Sequence, residues 1–390
     1  MLMRVLLAFD KFKDALSASQ ACETAASALR ERHPEWTLDL CPLTDGGDGF
    51  EEVLRTTASG QRFSIPVNGP RGHLVDASFS LVAWPHIPAR AQDQLKLAQV
   101  ATKPGPLAVI EMATASGLAL LTAQQRDPWQ TSTYGTGQLI RAATENGASA
   151  ILLGVGGSAT SDLGLGALSA LGLEFLTESG ATLRPPLPAF WSKLTHIRGT
   201  VPNTIPPIRI ACDVVSPLFG PLGAAATYGR QKGLAPTDLP AFENQSSRIA
   251  RLLCNHTGRS LDLAQTPGAG AAGGITFGLM CAAKAELLSG FDLVTAWLNL
   301  EKRIAAADLI ITGEGRFDQT SFAGKGPGAI VSRALALGKP VHVFAGQVTA
   351  ASVPGLTLQT ITPEGTPLAE ALRDASLYLY RAFSSIEFEI

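Results

Sequence analysis

Short apolar runs alternate with longer segments of helical periodicity along most of this chain. The first apolar run covers residues 4–8 and precedes a helical pattern at residues 17–31, where Ser17 is suited to an N-cap. A short run followed by a helix predicts a βα unit, and repeated βα units build sheets that are mainly parallel. The length of 390 residues leaves room for two or three domains of this α/β class.

The simple alternation is interrupted in the middle of the chain. Residues 62–67 and 74–83 alternate in polarity around a turn at 68–70, which predicts a β-hairpin, and the proline-rich residues 185–207 predict a surface loop. Five apolar runs lie outside the interruption, as in a flavodoxin-like sheet, at residues 4–8, 37–41, 309–312, 342–344 and 358–361. We therefore predict a flavodoxin-like parallel-sheet domain of residues 1–60 and 291–390. A second, inserted α/β domain of residues 61–290 would carry its own mainly parallel sheet.

The charge balance and the scattered cysteines exclude several classes of protein. The 31 basic and 33 acidic residues give a net charge of −2, so there is no basic field for nucleic acid or a membrane surface. The five cysteines form no C-x-x-C pair and the six histidines no H-E-x-x-H motif, which disfavours a disulfide framework or a zinc site. No apolar stretch reaches the roughly 18 residues of a membrane span. We expect a cytoplasmic protein with small-molecule partners, and a homodimer stays open.

Small and acidic residues follow five of the predicted strands, where α/β folds place their ligands. These loops are Asp10–Lys13, Thr44–Gly49, Gly154–Thr160, Cys212–Asp213 and Gly313–Asp318. Small residues allow backbone N–H groups to approach an anion, carboxylates hold Mg²⁺ or accept a hydroxyl proton, and Lys or Arg neutralises phosphate charge. The repetition of this equipment at strand ends indicates phosphoryl transfer.

Residues 268–273 match the G-x-G-x-x-G pattern of dinucleotide-binding proteins, but they follow no clear apolar strand. No acidic residue ends a strand about 20 positions later, so a phosphate-binding loop or a close-packed helix entry is the better interpretation. The P-loop pattern and the G-x-S-x-G elbow are absent. Two alternatives to a kinase stay open: an NAD-dependent hydroxy-acid dehydrogenase that uses this loop, and a non-catalytic small-acid binding protein.

In combination the loops resemble the motifs of the bacterial two-domain glycerate kinase family, from one end of the chain to the other. The stretches that carry the resemblance are Ala8–Ala18, Asp45–Gly49, Arg126–Pro128, Thr133–Gly137, Gly154–Thr160, Ala211–Val214, Gln231–Gly233, Pro267–Gly274, Gly313–Asp318 and Gly324–Lys325. The resemblance implies that ATP and Mg²⁺ serve to phosphorylate D-glycerate to 2- or 3-phosphoglycerate, in a cleft between the two domains. One departure is Ser161–Gly164, which reads Ser-Asp-Leu-Gly where the family usually has Asn-Asp-Gly-Gly.

Within this frame each loop receives an expected role. We predict Asp45 or Asp318 as the general base and the other as a group near the metal, because both lie in glycine-flanked loops after strands; Lys13 completes the catalytic set. Asp213 is predicted to orient a loop or to hold Mg²⁺. Substrate binding is predicted for Asp10, Lys11, Arg316 and Lys325. Binding of the ATP phosphates is predicted for Gly156, Gly157, Ser158, Gly268, Gly270, Gly273 and Gly274.

Overall fold

The computed structural model describes residues 3–98, 105–323 and 326–388. The chain divides into two compact units. The first unit consists of residues 1–45 and 294–390, and the second unit of residues 46–293. No helix in the described residues is long and apolar enough to cross a bilayer.

The described strands are numbered in chain order. They are β1 (Arg4–Phe9), β2 (Thr37–Leu40), β3 (Gln61–Asn68), β4 (Leu74–Val82), β5 (Leu107–Glu111), β6 (Ala150–Gly154), β7 (Glu174–Thr177), β8 (Thr182–Leu183), β9 (Leu194–Arg198), β10 (Ile208–Ala211), β11 (Glu286–Leu288), β12 (Leu309–Phe317), β13 (Val341–Val348) and β14 (Leu356–Thr360).

The described α-helices are numbered in the same way. They are α1 (Ala18–Arg32), α2 (Phe50–Thr57), α3 (Ala89–Leu95), α4 (Ala113–Ser116), α5 (Tyr134–Glu145), α6 (Leu165–Ala170), α7 (Ala224–Tyr228), α8 (Leu239–Thr257), α9 (Ala271–Ala282), α10 (Gly290–Trp297), α11 (Leu300–Ala306), α12 (Gly326–Ala336), α13 (Leu368–Arg373) and α14 (Ala375–Ser385).

A five-stranded parallel sheet forms the centre of the first unit, in the order β2, β1, β12, β13, β14. Every residue of β1 after Arg4 is buried, as expected for a parallel strand that is covered on both faces. Helix α1 follows β1 and begins with a capping box, in which the Ser17 hydroxyl accepts the N–H of Gln20. The strand order by chain position is 2-1-3-4-5, so the flavodoxin-like sheet and the α/β class predicted from the sequence are confirmed.

A six-stranded sheet forms the centre of the second unit, in the order β11, β10, β6, β5, β4, β3. The strands β5, β6, β10 and β11 run parallel, whereas β3 and β4 form the predicted antiparallel hairpin with Val67 opposite Val75. Gly154 at the end of β6 pairs with Ala211 at the end of β10. The loops after these two strands therefore leave from the same edge of the sheet.

Residues 185–207 contain a strand, so the prediction of a surface loop over this whole segment is wrong. Strand β9 joins β7 and β8 in a three-stranded antiparallel sheet. Only Leu194 of β9 is buried, so the strand lacks the regular apolar alternation by which a half-buried strand is recognised.

Strand β12 is longer than predicted and runs through residues 313–317, which the sequence indicated as a loop. Arg316 and Phe317 pair with Gln347 and Val348 of β13. A Cβ atom on Gly313 would collide with the carbonyl oxygen of Phe344, so close packing between strands, and not a turn, requires glycine here.

The first unit ends at residue 45, earlier than the predicted domain boundary at residue 60. Helix α2 packs against β4 and β5 of the second unit's sheet. Its first residue, Phe50, is buried, and a Cβ on Gly154 would lie 2.6 Å from the Phe50 ring. The apolar face of α2 therefore belongs to the second core, which the chain position alone does not reveal.

Candidate active site

Asp10 lies at the carboxyl end of β1 in the first unit. Its backbone N–H donates to the carbonyl oxygen of Gly313, with 2.9 Å between nitrogen and oxygen. The N–H of Lys11 donates to Asp10 Oδ1 over 2.7 Å. These bonds fix a partly buried carboxylate at the edge of the sheet where α/β folds place ligands.

The environment of Asp10 raises the pKa of its carboxyl to about 7. Burial is the largest cause, and the negative charge of Asp45 is the second. The hydrogen bond and the charge of Lys11 act in the opposite direction. A carboxyl with this pKa is poised to accept a proton near neutral pH.

Two glycines bring further backbone close to Asp10 and the loop after it. A Cβ on Gly326 would lie 3.3 Å from Asp10 Oδ2, and a Cβ on Gly315 would lie 3.3 Å from the backbone nitrogen of Lys13. Glu314, the residue before Gly315 in β12, is partly buried, and burial raises the pKa of its carboxyl. The first unit therefore gathers Asp10, Lys13 and Glu314 at one edge of its sheet.

Arg316 and Asp318 form an ion pair at the end of β12, with 3.2 Å between Nε and Oδ2. The Arg316 side chain is 63% exposed, so it is accessible to an anion. The hydroxyl and the N–H of Thr320 both donate to Asp318 and lower the pKa of its carboxyl. A lowered pKa makes Asp318 a weaker base, and its predicted role stays a prediction. Lys325 lies outside the described residues.

In the second unit, the residues after Asp45 lie over the carboxyl ends of β6 and β10. Gly156 donates its N–H to the carbonyl oxygen of Gly46 over 3.0 Å. Gly46 has a φ of +100°, and a Cβ there would lie 3.0 Å from the carbonyl oxygen of Ala211. This close approach of backbone to backbone explains why glycine is required at both positions.

Asp48 lies against the exposed Gly157 at the tip of the next loop. A Cβ on Gly157 would be 2.7 Å from Asp48 Oδ1, and Gly157 has a φ of +69°. Glu111, the last residue of β5, is buried and accepts the N–H of Glu51 over 3.4 Å. Burial, helped by the charges of Asp48 and Glu51, raises the pKa of Glu111 to about 7. Glu111 was not predicted; its signal in the sequence is an acid that ends an apolar strand.

Lys232 is the second functional candidate that sequence reasoning missed. It is buried, with 2% of its surface exposed, and its Nζ donates to Ser158 Oγ and to the carbonyl oxygen of Thr160, both over 2.8 Å. Burial lowers the pKa of Lys232 to about 7, against the opposing charge of Asp162. Its signal in the sequence is the short stretch Gln231–Gly233.

Asp162 is a structural acceptor beside this lysine. Its carboxylate accepts the N–H and the hydroxyl of Thr133, over 2.8 and 2.9 Å. The N–H groups of Gly164 and Gly166 donate to it as well, each over 3.1 Å. Asp162 thereby joins the start of α5 to the start of α6.

The glycines of residues 268–274 serve close packing at the entry to α9. A Cβ on Gly270 would collide with the carbonyl oxygen of Pro217, and one on Gly273 with that of Thr160. Gly268, Gly273 and Gly274 all have positive φ angles. This supports the close-packed helix entry of the two interpretations, and phosphate binding by Gly268, Gly270, Gly273 and Gly274 stays a prediction.

Asp213 uses both carboxylate oxygens within the protein. Oδ1 accepts the hydroxyl of Ser289 over 3.1 Å, and Oδ2 accepts the N–H of Phe291 over 2.7 Å. Asp213 thus orients the turn into α10, one of its two predicted roles. In the described part of the chain, no three His, Cys, Asp or Glu side chains are grouped so as to hold a metal ion.

Comparisons with known proteins match nearly the whole chain. The model of the glycerate kinase family matches residues 5–388. The glycerate 2-kinase of Escherichia coli K12 is 36% identical over 354 residues, which are 89% of this chain and 86% of that protein. The glycerate kinase of Bacillus subtilis 168 is 34% identical over 404 residues and is covered to 98%. The crystal structure of putative glycerate kinase 2 from Salmonella typhimurium LT2 superposes with a TM-score of 0.76 at 32% identity, covering 98% of this chain and 97% of that one.

Proposed function

Because the chain belongs to the glycerate kinase family and phosphorylates glycerate, we propose that ATP is the phosphoryl donor and the 2-hydroxyl of D-glycerate the acceptor. The Escherichia coli relative is named a glycerate 2-kinase, which supports transfer to the 2-hydroxyl. The observation that carries the chemistry is the partly buried Asp10 carboxyl at the end of β1, which the N–H of Lys11 contacts and whose pKa burial raises to about 7.

Asp10 is the proposed general base. As a carboxylate it accepts the proton of the attacked hydroxyl while that oxygen bonds to the γ-phosphorus and the bond to ADP breaks. Efficient proton transfer requires a base whose pKa lies near the working pH, and Asp10 meets that requirement better than Asp318. Asp45 contributes the negative charge that raises the pKa of Asp10.

Cationic residues of the loop after β1 and of the end of β12 would bind the carboxylate of glycerate. Lys11 adjoins Asp10, and the Arg316 guanidinium is exposed at the end of β12. Arginine offers a paired set of donors to a carboxylate, and lysine adds a point charge. Lys13 is exposed in the same loop and is assigned to the transferring phosphate.

The loop of residues 156–160 in the second unit is the proposed site for the ATP phosphates. Its tip, Gly157, is exposed and has a left-handed backbone, which suits a peptide N–H that approaches an anion. The cleft location predicted from the sequence stays a prediction.

Mg²⁺ would accompany the nucleotide and neutralise charge on its phosphates. This cation keeps water and phosphate ligands and takes one or two protein carboxylates. The described residues suit such a site of one or two carboxylates better than a site with three or more protein ligands. Asp45 is exposed and close enough to Asp10 to interact with its charge. Asp45 is therefore the proposed protein ligand.

The proposal is tested by phosphorus NMR of the product formed from ATP, Mg²⁺ and D-glycerate. We expect 2-phosphoglycerate and an equal amount of ADP, with L-glycerate and lactate as acceptor controls. A 3-phosphoglycerate product would contradict the assignment of the hydroxyl. Asp10→Asn, Asp45→Asn and Asp318→Asn are compared in the same assay, and the largest loss of kcat is expected for Asp10→Asn.

Two further readouts distinguish the alternative functions. A change in nicotinamide absorbance with hydroxy acids, without ATP turnover, would indicate a dehydrogenase. Tight binding of glycerate without turnover of any nucleotide would indicate a binding protein. Either result would refute the proposed donor.

A further inference from the structure

We infer that Lys232 is a positioning residue for phosphoryl transfer, which fixes the loop of residues 156–160 in the shape that receives the nucleotide phosphates. This inference rests on the proposed function, because it assumes that this loop binds the donor. Lys232 is buried and would act through the loop without touching substrate.

The lysine holds the loop at two points. Its Nζ donates to the Ser158 hydroxyl and to the Thr160 carbonyl, each over 2.8 Å. Ser158 follows directly after the exposed Gly157, and Thr160 is the last residue of the same loop. The conformation of the loop tip therefore depends on bonds made by a side chain that lies 74 positions later in the chain.

Backbone hydrogen bonds also hold this loop. Gly156 donates to the Gly46 carbonyl over 3.0 Å, and Ala159 donates to the Ser116 carbonyl over 2.9 Å. The N–H of Leu118 donates to the Gly157 carbonyl over 2.8 Å. Both neighbouring backbone and the Lys232 side chain therefore hold the loop.

Close packing restricts the backbone next to Lys232. Gly233 follows it with a φ of +94°, and a Cβ there would collide with the carbonyl oxygen of Arg126. The negative charge of Asp162 raises the pKa of Lys232 and so acts against the effect of burial. The Asp162 carboxylate already accepts hydrogen bonds from Thr133, Gly164 and Gly166.

A buried lysine is costly where a hydrophobic side chain could fill the same volume. The Thr160 hydroxyl beside it is also buried and has no hydrogen-bond partner in the described part of the chain. Packing alone does not account for this arrangement. A role in fixing the loop does account for the buried lysine, because one ammonium group can donate to a hydroxyl and to a carbonyl oxygen at once.

The test compares Lys232→Met, Ser158→Ala and the double variant with the wild-type protein, and Lys193→Met serves as a matched control. Lys193 is an exposed lysine of the same unit, outside the proposed site. The dissociation constant of a non-hydrolysable ATP analogue with Mg²⁺ is measured by calorimetry, and kcat and both KM values are measured by ADP release. Thermal unfolding is recorded for each variant.

We expect Lys232→Met to raise the dissociation constant of the analogue and the KM for ATP by about tenfold, with the KM for glycerate changed less than about twofold. Ser158→Ala keeps the lysine and is expected to weaken nucleotide binding less. The double variant is expected to lose less than the product of the two single effects, because both remove the same contact. If Lys232→Met does not fold, Lys232→Gln takes its place, and an unchanged nucleotide affinity in that variant contradicts the inference.

Two results would overturn the inference. One is unchanged nucleotide affinity in Lys232→Met, with or without a lower melting temperature, since a merely structural lysine changes stability alone. The other is exchange of label between ADP and ATP without glycerate, which would indicate that Ser158 is a nucleophile and Lys232 its base. A wild-type protein that binds the analogue and does not phosphorylate glycerate would refute the proposed function instead, and the affinities would still test the lysine.

Discussion

Replacing Asp10 by Asn is expected to reduce activity and, at alkaline pH, to stabilise the protein. Asn has nearly the same shape, and its side-chain oxygen can still accept the N–H of Lys11. The substitution removes the group that takes the proton, so kcat is expected to fall by roughly 10²–10⁴-fold.

The stability effect follows from the pKa of Asp10, which is about 7 in the folded protein against 3.8 for an unperturbed Asp. Below pH 3.8 the carboxyl is protonated in both states and contributes no difference. As the pH rises from about 4 to 7, the unfolded chain releases a proton that the folded protein retains, so wild-type stability declines and then stays reduced.

The size of this effect is bounded by the shift in pKa. At about 1.4 kcal/mol per pH unit, the difference between 3.8 and about 7 corresponds to an upper limit of about 4 kcal/mol. Asp10 is only partly buried, and water screens its charge, so we expect about 1–2 kcal/mol. The Asn variant avoids this cost because its amide does not ionise.

Thermal unfolding at pH 5 and pH 8 measures the effect. We expect the melting temperature of Asp10→Asn, relative to wild type, to be higher at pH 8 than at pH 5 by roughly 2–6 °C. Asp14→Asn is the control, because Asp14 is an exposed carboxyl in the same loop. A melting-temperature difference that is the same at both pH values would refute the raised pKa, and a kcat near that of wild type would refute the role of Asp10 as base.

Three further predictions concern other residues of the two units. Asp45→Asn removes the like charge beside Asp10, so the acid-side midpoint of the profile of kcat/KM against pH is expected to fall below about 7, and an unchanged midpoint would contradict the coupling. Leu163 is 2% exposed with a φ of 54°, and we expect both Leu163→Gly and Leu163→Ala to be less stable than wild type. The free energy of unfolding, measured with denaturant, is expected to be about 1 kcal/mol higher for Leu163→Gly than for Leu163→Ala, because glycine adopts a positive φ without strain. The reverse order would exclude backbone strain at this position. Asp213→Asn is expected to leave the Mg²⁺ dependence of activity unchanged and to lower stability by about 1 kcal/mol, whereas a weakened Mg²⁺ dependence would favour a metal ligand.

The departure at Leu163 shows how the structure explains a sequence pattern. The resemblance described in the sequence analysis implies Gly at this position, and this chain has a leucine in the left-handed region, where glycine is free of strain. The leucine side chain is buried in the core of the second unit, so hydrophobic burial offsets a strained backbone.

Local patterns were sufficient for the fold class. Alternating apolar runs and helical periods predicted the parallel sheet of the first unit and the hairpin of β3 and β4, because these patterns repeat over a few residues. They were insufficient for β9 and for the end of β12. Few residues of β9 are buried, and a glycine required by strand packing looks the same in sequence as one required by a turn.

The residue types of the candidate site could also be predicted from the sequence, since glycines, acids and lysines follow strand ends. Their chemical properties were not. The pKa of Asp10 depends on burial and on Asp45, and that of Lys232 depends on burial beside a distant loop. Ionisation energy is set by the solvent and the charges within a few ångströms of a group, and only the folded chain decides which segments supply them.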